Sequence, residues 1–180
     1  MTRENFNVLR KQMLLNLLSI FCCLIFQSLT AFGQQEIKQL MEKAEQLEYN
    51  GSFQKALELR SQIKVLCEQE EYWEHAVVNH CNIGYSCWEL KEHALMKIHL
   101  DSALLIAQKN NLDEFGDAYA TIWNYSGFYY DEVGYYRKAL NSYQKVLETD
   151  EKLLLTNKNF EAIYIGSDYY NLGSILSKIG

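Results

Sequence analysis

Trp123-Asn124-Tyr125-Ser126-Gly127-Phe128-Tyr129-Tyr130 runs on into Gly134-Tyr135-Tyr136-Arg137-Lys138-Ala139-Leu140 and then Tyr143. Near the end of the chain, Tyr169-Tyr170-Asn171-Leu172-Gly173-Ser174-Ile175-Leu176 repeats the first of these stretches in kind. Each has an aromatic residue, a gap of two, a small or apolar residue, a glycine, a second gap of two and a large residue. The same ladder recurs twice upstream. A recurring helix–turn–helix pattern predicts a stacked helical solenoid, because one helix pair alone cannot bury its apolar face. Solenoids present long surfaces, so the pattern favours binding over catalysis.

Working outward, the spacings keep step. Ala44, Gly84, Gly127 and Gly173 are separated by 40, 43 and 46 residues. Gly51, Lys91, Gly134 and Gly180 each follow seven residues later, where a turn is needed. An aromatic-type residue comes two after the turn (Phe53, His93, Tyr136), then Ala56, Met96 and Ala139, then Ile63, Ala103 and Val146. The physical reading is close packing. A small residue in the first helix lets the second helix approach, and a turn glycine ends the first helix in a left-handed conformation. Trp123, Tyr130 and Tyr143 fill the remaining space.

Apolar residues recur at three and four, as in Leu40, Ala44 and Leu47, and strand-like alternation is absent. The chain contains no proline. This predicts an all-α chain of about seven helices, at roughly 36–49, 52–68, 72–90, 93–109, 113–132, 136–154 and 159–179. Turns are expected near Asn50-Gly51, Leu90-Lys91, Asn110-Asn111, Val133-Gly134 and Thr156-Asn157.

The start of the chain, 1–33, reads differently. Arg3, Arg10 and Lys11 precede an apolar run from Met13 to Phe26, and Ala31-Phe32-Gly33 offers small residues where a signal peptidase reads. That is the pattern of a secretory signal peptide cleaved after Gly33. The run is short against the roughly 20 residues that span a bilayer. Lipidation at Cys22 or Cys23 would need a small residue just before it, and Phe21 and Cys22 stand there instead. Loss of Arg3, Arg10, Lys11 and Glu4 leaves residues 34–180 with 14 basic and 22 acidic side chains, a formal net charge of −8. Such a chain is a poor match for a nucleic-acid backbone, and no nucleic-acid partner is expected.

Cys67, Cys81 and Cys87 remain after cleavage, an odd count that cannot be fully paired. They read as small buried hydrophobes, with one bridge across neighbouring helices as the alternative. His75 and His80 are five apart and His93 and His99 six apart, spacings that put neither pair on one helix face. No metal site is expected. No phosphate-binding glycine loop or nucleophile elbow occurs, so no cofactor, no catalytic residue and no enzyme activity is expected. Glu70-Glu71 and Asp131-Glu132 read as solvated helix ends.

The ladder resembles the tetratricopeptide repeat (TPR). Its best unit, at about 120–153, carries Trp123, Gly127, Tyr130, Gly134, Tyr136, Ala139 and Tyr143. The unit at about 77–110 keeps Ile83, Gly84, Leu100 and Ala103, but His80, Cys87, Lys91 and Met96 depart. The unit at about 37–70 has Ala44, Gly51, Phe53 and Ala56, with Arg60 in place of an aromatic. A partial unit at 166–180 has only its first helix. The spacing exceeds that family's usual period of roughly 34 residues, which resembles its long-repeat bacterial variants. The resemblance implies an antiparallel helix-pair solenoid, a right-handed superhelix whose concave face is lined by first helices. It would place Tyr85, Trp88, Glu89, Asn124, Phe128, Asp131 and Tyr170, with Ser174, in that groove as partner-binding residues. The family's lysine-based clamp for a peptide carboxylate is not matched.

The chain stops at Gly180, a turn position, which would leave Ile175, Leu176 and Ile179 uncovered. This points to a fragment of a longer protein. The alternative is a capping last helix that turns Ser174, Ser177 and Lys178 to water. The expected function is an exported scaffold, periplasmic or extracellular, that binds a protein or peptide. The alternative is the N-terminal sensing part of a membrane-bound bacterial signalling regulator, with a histidine kinase or DNA-binding output. A membrane would be met only through an uncleaved signal segment or a missing downstream helix.

Overall fold

The structure is a computed structural model that describes residues 33–156, 161 and 163–180. The expected signal peptide therefore lies outside the described residues, apart from Gly33. The chain divides into two compact units, Met1–Gln39 and Leu40–Gly180. Of the first, only residues 33–39 are described, and they are helical. The second unit carries everything below.

Seven helices and no strand occur among the described residues. They are α1 (33–49), α2 (Phe53–Gln69), α3 (Trp73–Glu89), α4 (His93–Lys109), α5 (Asp117–Glu132), α6 (Tyr136–Thr156) and α7 (Ile163–Ile179). From α2 onward each helix packs on the next, and α3 also packs on α5. Short turns make consecutive helices antiparallel, and the α3–α5 contact sets one pair on the next. This is an all-α helix-pair solenoid, as the ladder predicts.

One device makes the first five turns. The residue after each helix cap takes a positive φ: Gly51 at 71°, Glu71 at 58°, Lys91 at 69°, Asn111 at 51° and Gly134 at 80°. The next backbone N–H then reaches back to the helix. Ser52 donates to the Leu47 carbonyl at 2.8 Å, Tyr72 to Cys67 at 2.9 Å, Glu92 to Cys87 at 2.9 Å, Leu112 to Ala107 at 3.1 Å and Tyr135 to Tyr130 at 2.8 Å. These bonds satisfy carbonyls that a helix end otherwise leaves orphaned.

The small residues divide into two kinds. A Cβ on Gly84 would sit 3.2 Å from the Met96 carbonyl oxygen, and one on Gly127 would sit 2.6 Å from the Tyr143 ring. There α3 meets α4 and α5 meets α6 at close range. Ala44, Ala56, Met96, Ala103 and Ala139 are fully buried, as their ladder positions predict. Gly173 breaks the series, because nothing lies within 4 Å of where its Cβ would be. No neighbouring helix presses on α7 at that point.

Two further expectations need correction. α5 starts at Asp117 rather than at 113. The Asp113 carboxylate accepts from the Phe115 N–H at 3.0 Å and its carbonyl from the Gly116 N–H at 3.0 Å, so a turn outcompetes the helix there. Ile175 is not left uncovered. It is fully buried with Ala139 and Tyr143 of α6, while Leu176 and Ile179 are exposed. The expected start of α7 at 159 falls among residues not described.

The larger core joins Val77 and Cys81 of α3, Met96, Leu100, Ala103 and Ala107 of α4, and Ala118, Tyr119 and Ile122 of α5. Cys67, Cys81 and Cys87 are free and buried. Burial raises all three thiols, Cys67 to about 11, so they pack as hydrophobes rather than act as nucleophiles.

Candidate functional site

A polar knot ties the first helices together. Arg60 of α2 is wholly buried and grips Glu48 of α1 with two bonds, Nε to Oε1 and Nη2 to Oε2, both 2.6 Å. Ser86 of α3 donates to the same carboxylate at 2.6 Å. Asn79 of α3 donates to the Arg60 carbonyl at 2.9 Å and accepts from Nη1 at 3.4 Å. The Asn82 amide lies 2.6 Å from the Tyr125 hydroxyl of α5. With its NH2 turned to that hydroxyl, its oxygen accepts from both Arg60 Nη atoms at 3.3 and 3.2 Å. A buried charge survives only with such partners. Burial first, then Cys81 and Glu48, raise the Tyr125 phenol, so it stays a neutral hydroxyl.

Beside this knot lies a groove of about 550 Å³. Glu45 comes from α1, Val78 and Asn82 from α3, and Tyr125, Asn124, Thr121 and Asp117 from α5. α7 supplies Tyr164, Ser167, Asp168 and Asn171, and α6 adds Val146 and Asp150 at the far wall. All four first helices of the ladder therefore face one hollow. Amide and hydroxyl groups recur along it, with Asn82, Asn124 and Asn171 each placed two or three residues before a ladder glycine.

The far wall is electrostatically unusual. Asp150 and Asp168 are both buried and close enough to perturb each other. Neighbouring carboxyl groups disfavour each other's ionisation. Burial and the neighbouring Asp150 charge push Asp168 up to about 7. Burial also raises Asp150, with Asp117 adding to the rise and Asp168 opposing it. Among the described residues no group hydrogen-bonds Asp168 Oδ2, although the residue is only 4% exposed.

The residues that the resemblance placed in the groove separate into groups. Asn124 lines the hollow and is exposed. Tyr85, Trp88 and Phe128 instead pack on one another, with Tyr85–Phe128 centroids at 6.0 Å and Trp88–Phe128 at 5.7 Å. Phe53, Tyr125 and Tyr129 extend that cluster. Glu89 is half-buried, and after burial itself it helps raise the Tyr85 phenol. Asp131 accepts from Lys178 of α7 at 2.6 and 2.7 Å. Tyr170 is 77% exposed and outside the groove lining, and Ser174 is outside it too. Asp150 and Asp168 carried no sequence signal, because they lie on separate helices, α6 and α7, whose facing only the fold defines.

The histidines pair across helices rather than along one. His80 Nδ1 lies 3.2 Å from His99 Nδ1. Burial, then the facing ring, lowers His80 to about 4, and burial lowers His99 as well, so both are neutral near pH 7. Among the described residues no group of three or more metal-ligating side chains converges, and no helix is long and apolar enough to cross a membrane.

No family model matches the chain, and no curated protein is significantly similar to it. Among solved structures it is similar to the crystal structure of BtubC (BKLC) from P. vanneervenii, with a TM-score of 0.65 and 17% identity. That likeness covers 80% of this chain and 56% of the other, so the chain spans little over half of that structure. It bears on the fold alone, and with the helix packing above it marks the chain as an all-α helical-repeat protein.

Proposed function

We propose that this chain is a non-catalytic TPR-like scaffold, exported to the periplasm or the cell exterior, that holds an extended segment of a protein partner. The observation that carries the reading is the groove that all four first helices line with amides, hydroxyls and carboxylates. An extended peptide needs a hydrogen-bonding wall along its length, and repeated side chains on parallel rods supply one at regular intervals. The reading as a TPR-type repeat rests on the ladder of residue types and spacings. Export rests on the sequence from Met1 to Gly33.

Selection of a displayed random-peptide library against the whole chain tests the proposal. Thr121 lines the groove, whereas Ser61 lies exposed on α2. Selected peptides should bind the parent and the Ser61→Trp variant and fail to bind Thr121→Trp, whose indole fills the hollow. Peptides indifferent to Thr121→Trp, or no selected peptide at all, would rule the groove out.

A further inference from the structure

Building on the groove as the binding site of an extended segment, we infer that the segment is basic, with a lysine or arginine side chain seated between Asp150 and Asp168. Among the described residues, four carboxylic acids line the hollow, Glu45, Asp117, Asp150 and Asp168, and no lysine or arginine does. Charge complementarity alone would be a weak argument. The orphan oxygen makes it specific.

Asp168 Oδ2 is buried in the lining without a donor among the described residues, and a buried acceptor without a partner is a standing cost. An ammonium or guanidinium brings both the missing N–H and the missing positive charge. A bound cation would favour the ionised form of both carboxyls, and a proton held on Asp168 would leave to solvent. A divalent metal is a worse fit, since no group of three or more ligating side chains gathers there among the described residues. Among the described residues, the other titratable groups on the hollow are Tyr125 of α5 and Tyr164 of α7, beside Asp117 of α5 and Glu45 of α1. None of these supplies a cation.

The test uses the selected peptides and the full chain. The peptides should share one lysine or arginine. Its replacement by glutamine should weaken binding at least about tenfold, the worth of one charge-assisted hydrogen bond. Asp168→Asn should weaken it equally while the helical circular-dichroism spectrum is kept, and Ser61→Ala should change nothing. A readout on the unaltered chain stands beside these. The carbon-13 carboxyl titration of Asp168 starts at about 7 in the free chain. It should drop by at least about one pH unit with saturating peptide, because a bound cation favours the charged carboxylate. Peptides that need Thr121 but carry no shared basic residue, or an unmoved titration, overturn the basic partner and leave the groove function standing. Absence of any groove-dependent peptide overturns both.

Discussion

At the scale of the residue, Arg60 is the position where the ladder misleads most. Its family resemblance asks for an aromatic, and a sequence cannot show that Glu48, Asn79 and Asn82 converge on the guanidinium. The network explains the departure: Arg60 is wholly buried and joins three helices by hydrogen bonds. Arg60→Met should lower stability by about 1–3 kcal/mol in urea denaturation, because the part-buried Glu48 and the buried Asn79 lose their partner. The pair Arg60→Met with Glu48→Leu should recover most of that loss, since neither charge is then stranded. Asp168 acts in the opposite sense. Its folded pKa of about 7 lies above the roughly 3.9 of an unfolded aspartate. Between those values the folded chain binds more protons, so this group's contribution falls as pH rises through the window. Asp168→Asn should match the parent below about pH 4 and exceed it increasingly up to pH 8, as measured by denaturation at each pH. Equal pH profiles for the two proteins would remove the buried acid pair from the account.

At the scale of the element, helix existence and phase were legible because the period of small residues is a packing requirement. Helix starts were less so. Asp113 diverted four residues into a turn through its own side chain, a local competition that periodicity does not register. The turns were half legible: Gly51 and Gly134 announce a positive φ, whereas Glu71 adopts one without any glycine to mark it. The glycines inside helices give a paired prediction. Gly127→Ala would force the buried Tyr143 ring to move and should cost about 1–3 kcal/mol, the range for overpacking a core. Gly173→Ala meets open space within α7 and should instead raise stability by about 0.5–1 kcal/mol through helix propensity. Thermal unfolding of both variants checks the contrast, and a shared sign would refute the distinction between contact and open glycines. The candidate site was the least legible part. The amide ladder could be read in hindsight from Asn82, Asn124 and Asn171, but the Asp150–Asp168 pair depends on how α6 faces α7.

At the scale of the whole repeat unit from Leu40 to Gly180, support is uneven. α3 packs on α2, α4 and α5, while α7 packs chiefly on α6 and reaches α5 through the Lys178–Asp131 pair. Local opening follows the number of packed neighbours. Hydrogen exchange should therefore release the amides of α7 before those of α3, and uniform protection across both helices would contradict this. The polar knot has one more consequence. Repeat arrays lengthen and shorten over generations because any copy can sit beside any other. Here Glu48, Arg60, Asn82 and Tyr125 come from four different rods that span three copies. Deleting the copy that holds Glu48 and Arg60 would leave the buried Asn79 and Asn82 of the next copy without their partner. The opening half of this array has thereby given up interchangeability, and descendants that gain or lose copies should do so on the α6–α7 side.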